Sequence, residues 1–221
     1  MARATKDIAV RQTNDAPTSS AFNALQTAFD FFNEHRFEGK LPQAIILLHR
    51  KKSAHGYFWA ERFGTKDDAS KIDEIALNPT TMRGRDDKLV LSTLVHEMCH
   101  MEQQHFGKPP KSAYHNKEWA EMMKAVGLQP SVTGKPGAPE TGPKVTHYIV
   151  EGGLFDTTCD LLLGTGLTLL YSERRFTAKE KTRAKQKAKI KYCCPACDAK
   201  VWGKPDMNVI CGDCEEQMEE E

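Results

Sequence analysis

The stretch Leu89-Val90-Leu91-Ser92-Thr93-Leu94-Val95-His96-Glu97-Met98-Cys99-His100 decides how the chain is read. Its apolar residues Leu89, Leu91, Leu94, Val95 and Met98, with Met101 just beyond, recur at helical spacing and predict a helix over 86–105. Asp86 and Asp87 stand at its start, where carboxylates cap free N–H groups and suit the helix dipole. Residues four apart share one helix face, so His96 and His100 can bind one metal ion together. Glu97 lies one residue round from His96, within reach of a water on that metal. Two imidazoles, a third protein ligand and one open position describe a catalytic zinc site, and the adjacent carboxylate is its general base. The pattern points to hydrolysis, of peptide bonds before other substrates. An amphipathic helix carrying two unrelated histidines would give the same H-E-x-x-H letters, but the helical context and the capping acids weigh against it.

The third ligand comes from further along. The metzincin continuation would place Gly and His where this chain has Gln103 and Phe106, so that pattern fails. His105, five residues past His100, faces away from the ligand pair if the helix continues. Two choices remain. His115 opens a second helical stretch, Asn116 to Val126, after a Pro-containing loop. Glu118 or Glu121 on that stretch would instead supply a carboxylate, although a solvated helix face accounts for both. His115 is favoured because it completes a three-histidine set and precedes Trp119 in H-N-K-E-W.

Taken together, "LVLSTLVHEMCHMEQQHFG…HNKEW" resembles the SprT-like metalloprotease family, whose members include a DNA–protein crosslink protease. The resemblance covers roughly residues 20 to 130, with Asn116 where glycine is common, and "IDEIALNP" (72–79) is similar to the strand and short loop before the family's active-site helix. It implies a zincin-like α+β core with a small sheet, with His96, His100 and His115 as zinc ligands and Glu97 as general base.

Five of the seven cysteines fall in the last thirty residues. Cys194-Pro195-Ala196-Cys197 and Cys211-Gly212-Asp213-Cys214 are two C-x-x-C knuckles, which predict a four-thiolate structural zinc site of the ribbon type. Disulfides would need an oxidising compartment, for which no secretory signal speaks. Cys193 could compete with Cys194 as a ligand. Cys99 points off the ligand face and reads as a packed thiol. So short a ribbon has almost no core, and metal binding should supply its folding free energy. A SprT-like domain followed by such a ribbon is the arrangement of the family's bacterial members, where ribbons are associated with DNA contact.

The chain of 221 residues, 39% apolar, accommodates one medium domain and a small module. The expected divisions are a flexible N-terminus (1–18), a metalloprotease domain (19–172), a basic linker (173–191), the ribbon (192–216) and an acidic tail (217–221). No apolar run is long enough to span a membrane, which points to an intracellular, cytoplasmic protein. The net charge of +1 conceals an asymmetry. Between Glu173 and Tyr192 stand nine Lys or Arg (Arg174, Arg175, Lys179, Lys181, Arg183, Lys185, Lys187, Lys189, Lys191) against two acids, a net +7. Beyond Lys204 there are seven acids and no base. A basic run leading into a ribbon fits phosphate-backbone binding, with a solvated linker as the plainer alternative.

Elsewhere, Ser19 or Ser20 can cap a helix over 21–35, with Phe22, Leu25, Phe29 and Phe32 on one face. "AIILLH" within 41–51, "GYFWAERF" (56–63) and 72–77 read as strands, with Tyr57, Phe58 and Trp59 as sheet core. Residues 130–144, rich in Pro and Gly, read as a loop or linker, and 146–150 as another strand. Residues 155–171 are ambiguous between helix and strand. His147 and Asp156 have no identifiable partner and read as structural residues. An edge strand of the sheet would let extended peptides add to it. The composite reading is a zinc endopeptidase acting on DNA-bound or DNA-crosslinked proteins. Its rivals are a non-catalytic nucleic-acid-binding or regulatory zinc protein and a zinc peptidase unconnected with nucleic acid.

Overall fold

The first helix, α1 (Pro17–Arg36), begins four residues before the sequence predicts. Neither Ser19 nor Ser20 caps it. Pro17 occupies the first turn, where a missing N–H costs nothing and a fixed φ is preorganised for the helix. The segment expected to be flexible therefore ends inside α1, and residues 1–15 lie outside those described. This computed structural model describes residues 16–112, 114–174, 176, 177, 180, 182 and 189–221, and the chain divides into two compact units at Glu173/Arg174. The first unit is mixed α and β with small sheets, and the named elements of the second are strands alone.

The first unit continues with β1 (Ala44–Leu48), β2 (Gly56–Gly64) and β3 (Lys71–Leu77), which form one sheet in the order β1-β3-β2. The β1–β3 pair is parallel and the β2–β3 pair antiparallel, so β2 is an edge. A bulge interrupts β2 between Trp59 and Phe63, where Glu61 sits at φ 51° and its N–H donates to the buried Asp73 carboxylate (2.8 Å). Between α1 and β1 the chain turns on Asn33, whose side chain exchanges hydrogen bonds with the backbone of Leu41 (3.0 and 3.1 Å).

A short turn of helix, α2 (Pro79–Met82), leads to α3 (Asp87–Phe106). Asp86 caps α3 by accepting from the Leu89 N–H (2.7 Å), as the sequence predicts. From Val90 to Cys99 every residue of α3 is buried. A helix surrounded on all sides belongs at the centre of its unit. Next come α4 (Lys117–Ala125), capped by Asn116, then β4 (Leu128–Ser131) and β5 (Thr146–Ile149), an antiparallel pair. The ambiguous segment resolves as helix α5 (Leu154–Gly164) followed by irregular chain. Phe155 of α5 stacks on Phe32 of α1 at 5.6 Å, while Phe22 is half exposed rather than on the buried face. Asp156 is not without a partner: it and Asp160 bind Lys88 of α3 (2.5 and 2.6 Å).

The core of this unit gathers α1, α3, α4 and α5 with Ile46, Ile75 and Leu77 of the sheet. Trp59 lies outside it at 52% exposure, its ring covered by the Arg62 guanidinium (4.5 Å), so of the three aromatics read as core only Phe58 packs against it. The Pro/Gly-rich stretch is held rather than loose. Ser131 Oγ donates to the Lys135 carbonyl (2.7 Å) and Val132 N–H to that of Pro139 (2.9 Å).

The second unit is a three-stranded sheet of β6 (Ile190–Cys193), β7 (Lys200–Gly203) and β8 (Glu219–Glu220), in the order β7-β6-β8. The sheet extends beyond 192–216 on both sides, because Glu219 and Glu220, expected in a free tail, pair with Cys193 and Tyr192. Its core is small, centred on Tyr192, Cys194, Cys211 and Met218. Among the described residues no helix is long and apolar enough to cross a membrane.

Gly127 offers a test of this packing. Its φ is +93°, and a Cβ there would lie 2.3 Å from the backbone nitrogen of Phe155. Backbone strain of about 1–3 kcal/mol adds to a clash that only moving α5 relieves. Gly127→Ala should therefore lower the stability of the first unit by more than about 2 kcal/mol in denaturant unfolding.

Candidate active site

The site begins with helix register. His96, Glu97 and His100 lie on α3, and the Gln103 side chain, one turn further on, binds Asn116 Oδ1 (2.8 Å) and Glu118 (2.7 Å). These bonds fix the start of α4 against α3 and bring His115 back to His96 and His100. The three imidazoles place one ligand atom each within 4.8 Å of the others. Glu118 also accepts from the Lys108 N–H (2.8 Å), and Glu121 pairs with Lys124 (2.8 Å), so neither glutamate belongs to the cluster. Trp119, fully buried, forms one wall: its ring stacks on His100 (5.0 Å) and meets His115 (4.4 Å) and His96 (4.9 Å) edge-on.

The Pro/Gly-rich segment is part of this construction. His115 and Gly142 exchange both backbone hydrogen bonds (2.9 and 3.1 Å), and His115 Nδ1 lies 3.2 Å from the Gly142 carbonyl. A carbonyl only accepts, so Nδ1 carries the proton and Nε2 keeps its lone pair. Sequence reading missed this role, since nothing in 130–144 marks which of its residues returns to His115.

Burial sets the electrostatics. Desolvation lowers the pKa of His96 well below the ordinary value, takes His100 to about 3, and lowers His115 as well. All three are neutral near pH 7, the form a metal requires. Glu97 moves the opposite way, to about 8, because it is buried; the charge of Lys51 and a hydrogen bond from the Phe58 N–H of β2 oppose the rise. Gly56, at the start of that strand, passes so close that a Cβ would stand 3.0 Å from Glu97 Oε1 and 2.9 Å from the Ala76 carbonyl. Edge strand β2 thus runs directly over the carboxylate.

His147 lies here too, against the expectation that it had no partner. Its Nδ1 is 3.1 Å from His96 Nδ1 and its Nε2 is 2.9 Å from Ser92 Oγ. A histidine 47 residues beyond H-E-x-x-H carries no spacing signal that would have found it. His105 faces away from the cluster and binds Asp73 (2.6 Å). Cys99 is buried, and that burial raises its pKa well above the ordinary thiol value.

In the second unit Cys194, Cys197, Cys211 and Cys214 bring their sulfurs within 4.8 Å of one another. Cys193 is outside the cluster, its thiol directed at Asp198 (3.2 Å). Hydrogen bonds from the Asp213 and Cys214 backbone lower the pKa of Cys211 toward the thiolate. Four thiols in two knuckles are a donor set that fits tetrahedral zinc, and three neutral imidazoles fit zinc with one position open. Of the basic run, Arg175, Lys179, Lys181, Arg183, Lys185 and Lys187 lie outside the described residues. Arg174 pairs with Glu180 (2.6 Å) and Lys191 with Glu221.

Comparison with known proteins adds two findings. The family described as SprT-like matches residues 25–146, and a protein of Salmonella typhimurium, named only as an uncharacterized protein in the mucB 3' region, is 40% identical over 68 residues, 31% of this chain and 92% of its own length.

If both clusters bind metal, the intact protein should carry two zinc ions per chain by elemental analysis. His100→Ala and Cys197→Ser should each reduce the count to one, and only the cysteine variant should lose the fold of the second unit.

Proposed function

Because the chain belongs to the SprT-like family, we propose that it is a zinc-dependent endopeptidase acting on proteins bound or crosslinked to DNA. One observation supports the peptidase part above all. A buried carboxylate, Glu97, stands beside three neutral histidines under an edge strand. Zinc held by His96, His100 and His115 would supply a Lewis acid and lower the pKa of a water. Glu97 would accept the proton from the attacking water and later return it to the leaving amine. Its elevated proton affinity suits that exchange, and a nearby dication would bring its pKa down toward working pH. Strand β2 would hold an extended peptide by main-chain hydrogen bonds, which need no particular sequence. Trp119 would keep the imidazoles in place and exclude water from behind them.

The DNA part of the proposal rests on charge and composition. The basic run would neutralise phosphates, and the four-cysteine module would dock on the same nucleic acid. Proteins on that DNA would then be cleaved because they are held at high effective concentration.

The test is cleavage of a DNA-binding protein by the zinc-loaded chain, with and without single- and double-stranded DNA. Glu97→Gln should retain both zinc ions yet lose at least about a hundredfold in rate. Stimulation by DNA should weaken steeply as salt rises. Cleavage indifferent to DNA would leave a general zinc peptidase. DNA binding without cleavage, in a protein with both sites metallated, would leave a non-catalytic nucleic-acid-binding protein.

A further inference from the structure

The proposed hydrolysis uses His96, His100, His115 and Glu97, but not the partly buried histidine beside them. His147 projects from β5 into the first unit, and its ring lies 5.2 Å from that of His96, centroid to centroid. Both of its nitrogens are engaged: Nδ1 with His96 Nδ1 at 3.1 Å, and Nε2 with Ser92 Oγ at 2.9 Å. Ser92 Oγ in turn lies 2.9 Å from the Leu89 carbonyl, one turn earlier on the same helix.

The proton positions in this chain of bonds are set by its last member. The Leu89 carbonyl can only accept, so the Ser92 hydroxyl donates to it. Ser92 Oγ then accepts from His147 Nε2–H. A neutral imidazole protonated on Nε2 has a bare Nδ1, so His147 Nδ1 accepts from His96 Nδ1–H. The lone pair of His96 is left on Nε2. A protein carbonyl three hydrogen bonds away thereby selects the tautomer of His96.

We propose that His147 is a positioning residue for His96, holding its ring through Nδ1 so that Nε2 is presented to the three-histidine cluster. The inference rests on reading His96 as a metal ligand. Ligating histidines usually give their second N–H to a carboxylate, a backbone carbonyl or a water. Here the acceptor is a neutral imidazole. It orients the ligand without adding a negative charge beside Glu97. It also fastens α3 to the β4–β5 pair, which borders the segment that holds His115 through Gly142.

Two variants separate orientation from packing. The Oδ1 of Asn can accept where His147 Nδ1 does, so His147→Asn keeps the acceptor. His147→Leu fills similar space without one. With the four-cysteine site loaded with zinc, zinc affinity of the histidine site is measured by chelator competition on the full chain, together with the visible spectrum of cobalt in that site. His147→Leu should bind about 10- to 100-fold more weakly, with a shifted cobalt spectrum. His147→Asn should lie within about threefold of the unsubstituted protein. Equal affinity in His147→Leu, or an Asn variant no better than Leu, would overturn the proposal. If His147→Leu fails to fold, the tautomer decides, read from nitrogen chemical shifts of histidine-labelled metal-free protein. A proton on Nδ1 of His96 sustains the proposal, and one on Nε2 refutes it. Should the unsubstituted chain bind no metal at its histidines, the peptidase reading falls, while the tautomer still judges this inference on its own.

Discussion

Everything in the first unit answers to one constraint, the burial of α3 from Val90 to Cys99 on all sides. A helix so enclosed has no solvent face on which to place polar groups. Ser92, Thr93, His96 and Glu97 are nonetheless there, and a buried polar group without a partner costs about 1–3 kcal/mol. The surrounding elements supply partners one by one. His147 and the Leu89 carbonyl take Ser92, Arg85 takes Thr93 (3.0 Å), and Phe58 of β2 takes Glu97. The site is the set of polar groups that a central helix retains and its neighbours satisfy.

Local signals in the sequence reveal α3 and its ends. Asp86 caps α3 where side-chain chemistry says it should, Asn116 caps α4 although the sequence reading counted it within the helix, and His96, His100 and His115 come together as helical spacing and one loop allow. Long-range pairings are not legible in the same way. His147 meets Ser92 across 55 residues and Gly142 meets His115 across 27, through strand and loop geometry that no single-chain periodicity encodes. The start of α1 departs from expectation for a different reason. Two serines have the chemistry of caps, yet the helix begins upstream of them at Pro17, whose fixed φ suits a first helical residue. Trp59 departs because an aromatic residue in a strand usually packs inward, whereas here an arginine covers its outward face.

The two units differ in what holds them together. The first has a continuous apolar core reaching from α1 to α5. Among its described residues the second has a core cluster of four buried side chains, two of them cysteines, and its remaining order comes from short strands and knuckle hydrogen bonds. Thiolates of like charge gathered this closely repel one another unless a cation lies among them. Its acidic end contributes as well: Glu220 accepts from the Tyr192 hydroxyl (3.0 Å) and from the Asp206 N–H (2.8 Å), so the last residues close the sheet.

Strand β2 carries a liability as well as a use. An unpaired strand edge is open to a strand of any other chain, including a second copy of this one. The bulge after Trp59 limits that exposure. Glu61 turns out of register onto Asp73, and Arg62 and Lys71 place charges beside the remainder of the strand. The regular edge is thus confined to Gly56–Trp59. A short extended segment can pair with so brief an edge, whereas growth of an intermolecular sheet requires a longer one. The same irregularity that interrupts the ladder therefore sets an upper length on any strand that could pair there, and denies aggregation a template.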